Sequence, residues 1–206
     1  MNILIHPTYF PNIAHFVAMA NANVVSFEVD DNFQKQTYRN RTYIYDANGK
    51  LLLNIPVIHT QKNRQKYRDV KIANDTKWPD LHWKSLQSAY RTSPFFEFYE
   101  DDLQPLFSLK ADYILDFNFK CLEVICDCLQ LDLKFNKTQV FQKTVEDKTD
   151  FRPLVNAKKE HSFQFEPYTQ VFSGKHGFIS NLSILDLLFN EGPNTLHYIE
   201  SQKLRW

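Results

Sequence analysis

The sequence predicts an α/β fold: a small mixed sheet carrying an N-terminal βαβ unit and a β-hairpin, with a helical middle. Three observations carry this. Two short apolar runs rich in β-branched residues, 2–6 (NILIH) and 24–29 (VVSFEV), flank one helix-length segment. Asn48-Gly49 stands between two strand-like stretches. From residue 79 onward, apolar residues recur at the spacing of helices.

Residues 2–6 read as a buried strand that Pro7 and Pro11 stop. Asn12 can cap a helix to about residue 21, with Ile13, Phe16, Val17 and Ala20 on its apolar face. The run 24–29 then makes the second strand. A strand–helix–strand unit this short should be right-handed with its strands parallel. Residues 41–57 read as a hairpin, with Asn48-Gly49 in a two-residue type I′ turn and Leu51, Leu53, Ile55 and Val57 on one face. A Lys/Arg-rich connection, 60–68, precedes a short strand at 70–72. Helices are expected over 79–92, from Ser93-Pro94 onward, and over 111–131. Residues 133–141 look extended, 142–160 look polar and mobile, and 184–189 form a short apolar helix stopped by Gly192-Pro193.

At 206 residues the chain fits one domain, 1–206, long enough to bury a sizeable core. The 24 basic and 24 acidic side chains balance, which removes the global electrostatic reason to bind nucleic acid or anionic membrane. The segment 111–131 is interrupted by Asp116, Lys120, Glu123 and Asp127, so it cannot span a bilayer. With no signal-peptide pattern at its start, the chain is expected to be cytoplasmic. Cys121, Cys126 and Cys128 are odd in number, and Cys126 and Cys128 point to different sides of one helix, so the three read as core or surface thiols. No metal site is expected, and the sequence names no cofactor.

Several segments stand out together: residues 6–11 (HPTYFP), 34–41 (QKQTYRNR) ahead of Asn48-Gly49, Trp78 with 82–85 (HWKS), Ala89-Tyr90, 93–99 (SPFFEFY), and 177–192 (GFISNLSILDLLFNEG). In this order they resemble the WbqC-like family across nearly the whole chain. The resemblance implies a role in making cell-surface sugars, since the family takes its name from a polysaccharide gene cluster. It brings no fixed chemistry. Where longer relatives carry a Ser-Gly-rich stretch, this chain has the polar 142–160. A weaker likeness, to nucleotidyltransferases with an HxGH signature, stops at His15, which lacks the first histidine and the glycine.

If the first two strands are parallel, His6 and Asp30 lie at neighbouring carboxyl ends, where open α/β sheets bind ligands. His6 could act as acid or base, oriented by Asp30 or Asp31. The first helix would point its N-terminus there, able to hold an anion. Asn40 and Arg41, with Tyr9 from the family-like loop, are expected to touch substrate; an Arg fork suits phosphate. Trp78, His82, Leu86 and Tyr90 repeat every four residues, so they share a helix face that either lines a pocket or packs the core. The expected catalytic set is His6, Asp30 and His82, with both histidines facing one cavity. The substrate-binding set is Tyr9, Asn40, Arg41, Trp78 and Tyr90. Three functions fit: an enzyme of surface-polysaccharide or nucleotide-sugar metabolism, a nucleotidyl- or acyl-transfer enzyme on another small substrate, or a non-catalytic binding protein. The expected partner is a small molecule such as a nucleotide or sugar phosphate. An exposed patch at Phe95, Phe96 and Phe98 would favour the binding protein.

Overall fold

A computed structural model describes residues 1–58, 64–159 and 161–204. Part of the basic connection 60–68 and the last residue of 142–160 lie outside the described residues. In chain order the elements are β1 (Asn2–Ile5), α1 (Ile13–Ala20), β2 (Val24–Phe27), β3 (Arg41–Asp46), β4 (Gly49–Asn54), β5 (Val57–Ile58), β6 (Lys71–Ile72), α2 (Trp78–Tyr90), α3 (Phe96–Leu103), α4 (Ile114–Leu129), β7 (Phe135–Lys137), β8 (Thr149–Asp150), α5 (Ser173–His176), α6 (Ile184–Glu191) and α7 (Thr195–Ser201). The fold is mixed α/β, as the sequence predicts.

The βαβ unit forms: β1 and β2 pair in parallel, with Ile3 opposite Val25 and Ile5 opposite Phe27. β7 joins β2 and β8 joins β1, both parallel, so the sheet runs β7-β2-β1-β8. The hairpin β3–β4 and the pair β5–β6 are separate antiparallel ribbons. The polar stretch 142–160 contributes β8 and a 3-10 turn, Arg152–Val155, which buries Leu154 and Val155 after the buried Phe151.

The hairpin turn differs from expectation by one residue. Asp46 pairs with Gly49, so Ala47-Asn48 occupies the tip. Gly49 has φ +101, and Asn48 is not among the residues of positive φ. This is the pattern of a type I turn followed by a bulge glycine, which needs one positive φ where type I′ needs two. The register sets Tyr43 against Leu52 and Ile44 against Leu51. Leu53 and Ile55 are buried while Leu52 faces out, as the alternation requires.

α1 and α6 meet at their N-termini and cap each other. Ile13 N–H donates to the Leu182 carbonyl at 3.0 Å, and Ile184 N–H donates to the Pro11 carbonyl at 2.9 Å. The Asn181 side chain accepts from Ala14 N–H, and Asn12 Oδ1 accepts from His15 N–H. Two sets of orphan helix donors are thereby satisfied inside the protein. α1 is apolar almost all round, and seven of its eight residues are buried. Gly192 ends α6 with φ +54, and a Cβ there would sit 2.5 Å from the Phe95 ring. Only glycine allows that approach. Phe96 is buried and Phe95 half-buried, so only Phe98 of these three phenylalanines is exposed.

The three cysteines are free, on α4, and burial raises their thiols, Cys126 and Cys128 to about 12. They are packed, unreactive thiols. Among the described residues no helix is long and apolar enough to cross a membrane.

Candidate functional site

Each strand of the parallel sheet delivers a polar side chain at its carboxyl end: His6 after β1, Glu28 after β2, Thr138 after β7 and Asp150 at the end of β8. This is the edge where such sheets place ligands. The chain from Asp31 to Arg41 then folds back over it. Tyr9 N–H donates to the Tyr38 carbonyl and Tyr38 N–H to the Val155 carbonyl, which ties this segment to the loops after β1 and β8.

At its centre His6, Asp31 and Arg39 share one triangle of contacts. His6 Nε2 lies 2.8 Å from Asp31 Oδ2 and 2.8 Å from an Arg39 Nη, and Arg39 also donates to Asp31 Oδ2. All three residues are buried. Burial, then the Arg39 charge, lowers His6 to about 4, against opposing help from Asp31. His6 is therefore neutral at pH 7, and two tautomers fit: Nε2 accepts from Arg39, or it donates to Asp31. Burial raises the Asp31 carboxyl, but the His6 hydrogen bond and Arg39 outweigh it and hold it below the ordinary value. The Arg39 guanidinium lies 5.3 Å from the Tyr67 ring centroid, and Tyr67 donates to the Pro7 carbonyl at 2.9 Å. Asn118 on α4 donates to the Arg39 carbonyl at 2.7 Å. Asp31 Oδ1, Arg39 Nε and Thr8 Oγ1 are buried with no hydrogen-bond partner among the described residues, while His6 also meets the Arg152 backbone. So many incompletely bonded polar atoms in one place are unusual for a purely structural cluster.

A second acidic centre adjoins it. Glu28 is fully buried; its Oε1 accepts from Thr138 and from Asp30 N–H, each at 2.9 Å. Its Oε2 is 3.7 Å from an Arg152 Nη, and Arg152 forks onto Asp150 at 2.7 and 2.9 Å.

The expected residues divide among several places. Asp31, not Asp30, is the acid on His6. Asp30, equally buried, instead meets Lys66 at 2.8 Å and Arg68 at 3.0 Å, and Lys66 holds its carboxyl below the ordinary value. His82 bonds Tyr9 Oη through Nδ1 at 2.9 Å, with the Trp78 ring 5.2 Å away. Burial lowers His82 to about 4, opposed by a hydrogen bond to the Asn54 backbone. The two histidines meet different side chains, His6 the Asp31 and Arg39 pair and His82 the Tyr9 hydroxyl, and both are packed into the protein. Tyr90 belongs to another cluster: its hydroxyl donates to Asp186 Oδ1 at 2.7 Å and accepts from Tyr45 N–H at 2.9 Å. Tyr168 and Gln170 complete the shell of Asp186, whose carboxyl burial raises. Its partners come from across the fold.

The N-terminus of α1 holds no open donors for an anion, because Leu182, Asn181 and Asn12 occupy its first amides. Asn40 and Arg41 instead border a separate pocket of about 390 Å³ beside Lys35 and Gln36. Among the described residues no group of three His, Cys, Asp or Glu could hold a metal ion. Sequence reasoning misses Arg39 and Glu28 as site residues. Glu28 has a signal, a charge inside the apolar run 24–29; Arg39 has none that separates it from Lys35 and Arg41.

A family model described as the WbqC-like protein family matches residues 6–161. An uncharacterized protein of Mycobacterium tuberculosis is 23% identical over 222 residues, covering 95% of this chain and 96% of its own. No solved structure matches the chain.

Proposed function

Because this chain belongs to the WbqC-like protein family, we propose that it is an enzyme of cell-surface polysaccharide or nucleotide-sugar metabolism, acting on a phosphorylated or sugar substrate at the carboxyl edge of its parallel sheet. The observation that carries this is the buried His6–Asp31–Arg39 group, with its unfilled hydrogen-bonding atoms, at that edge. Neutral His6 can take a proton from a substrate hydroxyl or amine. Asp31 orients the ring, and Arg39 supplies a fixed positive charge for negative charge that develops nearby. Asp30, held by Lys66 and Arg68, fixes the loop and takes no part in the chemistry.

One observation favours a second reading. His6, Asp31 and Arg39 are at most 7% exposed and already bonded to one another, so a protein that binds a sugar or nucleotide without transforming it would also keep this arrangement.

A thermal-shift screen against sugar phosphates and nucleotide sugars tests both readings. A ligand at 100 times its Kd adds about 2.7 kcal/mol. The first reading expects at least one such ligand to stabilise the protein and to be converted, with conversion lost in His6→Gln and binding kept. Stabilisation without conversion supports the second. No stabilisation by any member removes both.

A further inference from the structure

The segment 34–41 has two sides. Arg39 points into the buried group under it. Lys35, Gln36, Asn40 and Arg41 border the 390 Å³ pocket on its other side, with Phe33 and Asn54. We propose that this pocket is the binding site for a monosaccharide phosphate, its phosphate held by Lys35 and Arg41 and a sugar hydroxyl donated to Asn40 Oδ1.

The charges support the anion. The pocket lining holds two cations and no carboxylate. Neither Lys35 nor Arg41 has an ion pair among the described residues, although this chain carries as many acids as bases. Arg41 Nε is buried and has no acceptor among the described residues. Its backbone is fixed as the first residue of β3, paired with Asn54, so the guanidinium stem starts from a rigid place. A guanidinium fork beside an ammonium is the combination that grips phosphate.

The hydroxyl follows from Asn40. The residue is only 6% exposed, and its Nδ2 donates to the Ile55 carbonyl at 2.9 Å and to Asn54 Oδ1 at 3.2 Å. Those two bonds fix which way the amide faces. They leave Oδ1 buried with no donor among the described residues. An acceptor cannot serve phosphate oxygens, but it suits a neutral O–H on the same ligand. Gln36 adds an independent sign. It holds φ +59, a conformation that non-glycine residues rarely adopt and that collects at ligand sites. The volume sits at the low end of small-molecule pockets, which fits one sugar ring with its phosphate and not a whole nucleotide sugar.

The substrate class rests on the function proposed above, but the site can be tested without activity. Isothermal titration would compare glucose 1-phosphate, glucose, inorganic phosphate and UDP-glucose on the wild type, on Lys35→Gln, on Arg41→Gln and on the double variant. Glucose 1-phosphate should bind more tightly than phosphate or glucose alone. Each single variant should weaken it at least tenfold, and the double variant about a hundredfold, with melting temperatures showing that the fold is kept. Glucose 1-phosphate binding that the double variant leaves unchanged would overturn this site while leaving the proposed function standing. Phosphate binding as tightly as glucose 1-phosphate would overturn the role of Asn40. Binding of UDP-glucose alone would overturn the monosaccharide phosphate, and no binding by the wild type would overturn this site while the wider ligand screen still tests the proposed function.

Discussion

At His6 the decisive fact is which acid it meets. Asp30 and Asp31 are adjacent, and residue type cannot separate them. The backbone after β2 does: Glu28 Oε1 accepts Asp30 N–H, and the Asp30 carboxylate then goes to Lys66 while that of Asp31 goes to His6. The strand end and the histidine are legible in sequence because apolar run and prolines mark them. The pairing is not, because it depends on Arg39 arriving from eight positions further on. Arg39 also sets the energetics here. Removing one member of a buried ion pair leaves the other charged and unpaired, at about 3–5 kcal/mol. Arg39→Met should therefore destabilise the protein by roughly that much in urea unfolding. Adding Asp31→Asn should recover part of the loss, because the stranded carboxylate disappears. Arg39→Met should also raise the titration of His6, followed by its ring proton resonances, since Arg39 lowers it. A loss under about 1 kcal/mol in Arg39→Met, below the buried-pair range, would mean that the group is not the anchored unit described.

Among the elements, those with strong local signals are legible in sequence. The βαβ unit, α2, α4 and α6 follow from apolar spacing, Asn12 and the prolines. β8 and α7 escape it: a two-residue edge strand in a polar stretch has no periodicity to detect, and α7 follows a Gly-Pro stop signal. The hairpin is evident but its turn falls one residue away, because Asn-Gly serves both a type I′ turn and the end of a type I turn with a bulge. A pair of alanine variants separates the two. Gly49 has φ +101, and beyond its two chain neighbours nothing lies within 4 Å of the place a Cβ would take, so Gly49→Ala should cost about 1 kcal/mol from backbone strain alone. Asn48→Ala should stay within about 0.5 kcal/mol, because Asn48 needs no positive φ. Equal losses at the two positions, measured by thermal unfolding, would restore the type I′ turn.

For the molecule as a whole, three histidines from different elements are buried together with their surroundings: His6 after β1, His15 in α1 and His82 in α2. Burial lowers them to about 4, about 3 and about 4. In the unfolded chain each titrates near 6.5. A group whose folded value is depressed stabilises the fold fully above its unfolded value and loses that contribution as pH falls toward the folded value. The window is therefore 6.5 down to about 4, where the unfolded chain takes up protons that the native state refuses. Asp186 and Glu191, both raised by burial, work in the opposite direction from their ordinary values of 3.8 and 4.5 upward and offset part of this effect, two carboxyls against three imidazoles. Each linked proton changes stability by about 1.4 kcal/mol per pH unit, so three would give roughly 4 kcal/mol per unit. Urea unfolding should show stability falling by several kcal/mol between pH 7 and pH 5, a large share of the roughly 5–15 kcal/mol that holds a domain together. His82→Gln should reduce the slope by about one proton, since its partners Tyr9 and Asn54 can still be met by an amide while the titrating ring is gone. A flat profile from pH 7 to pH 5 would show that these rings reach protons in the native state, and the sealed picture of the sheet edge would fall with it.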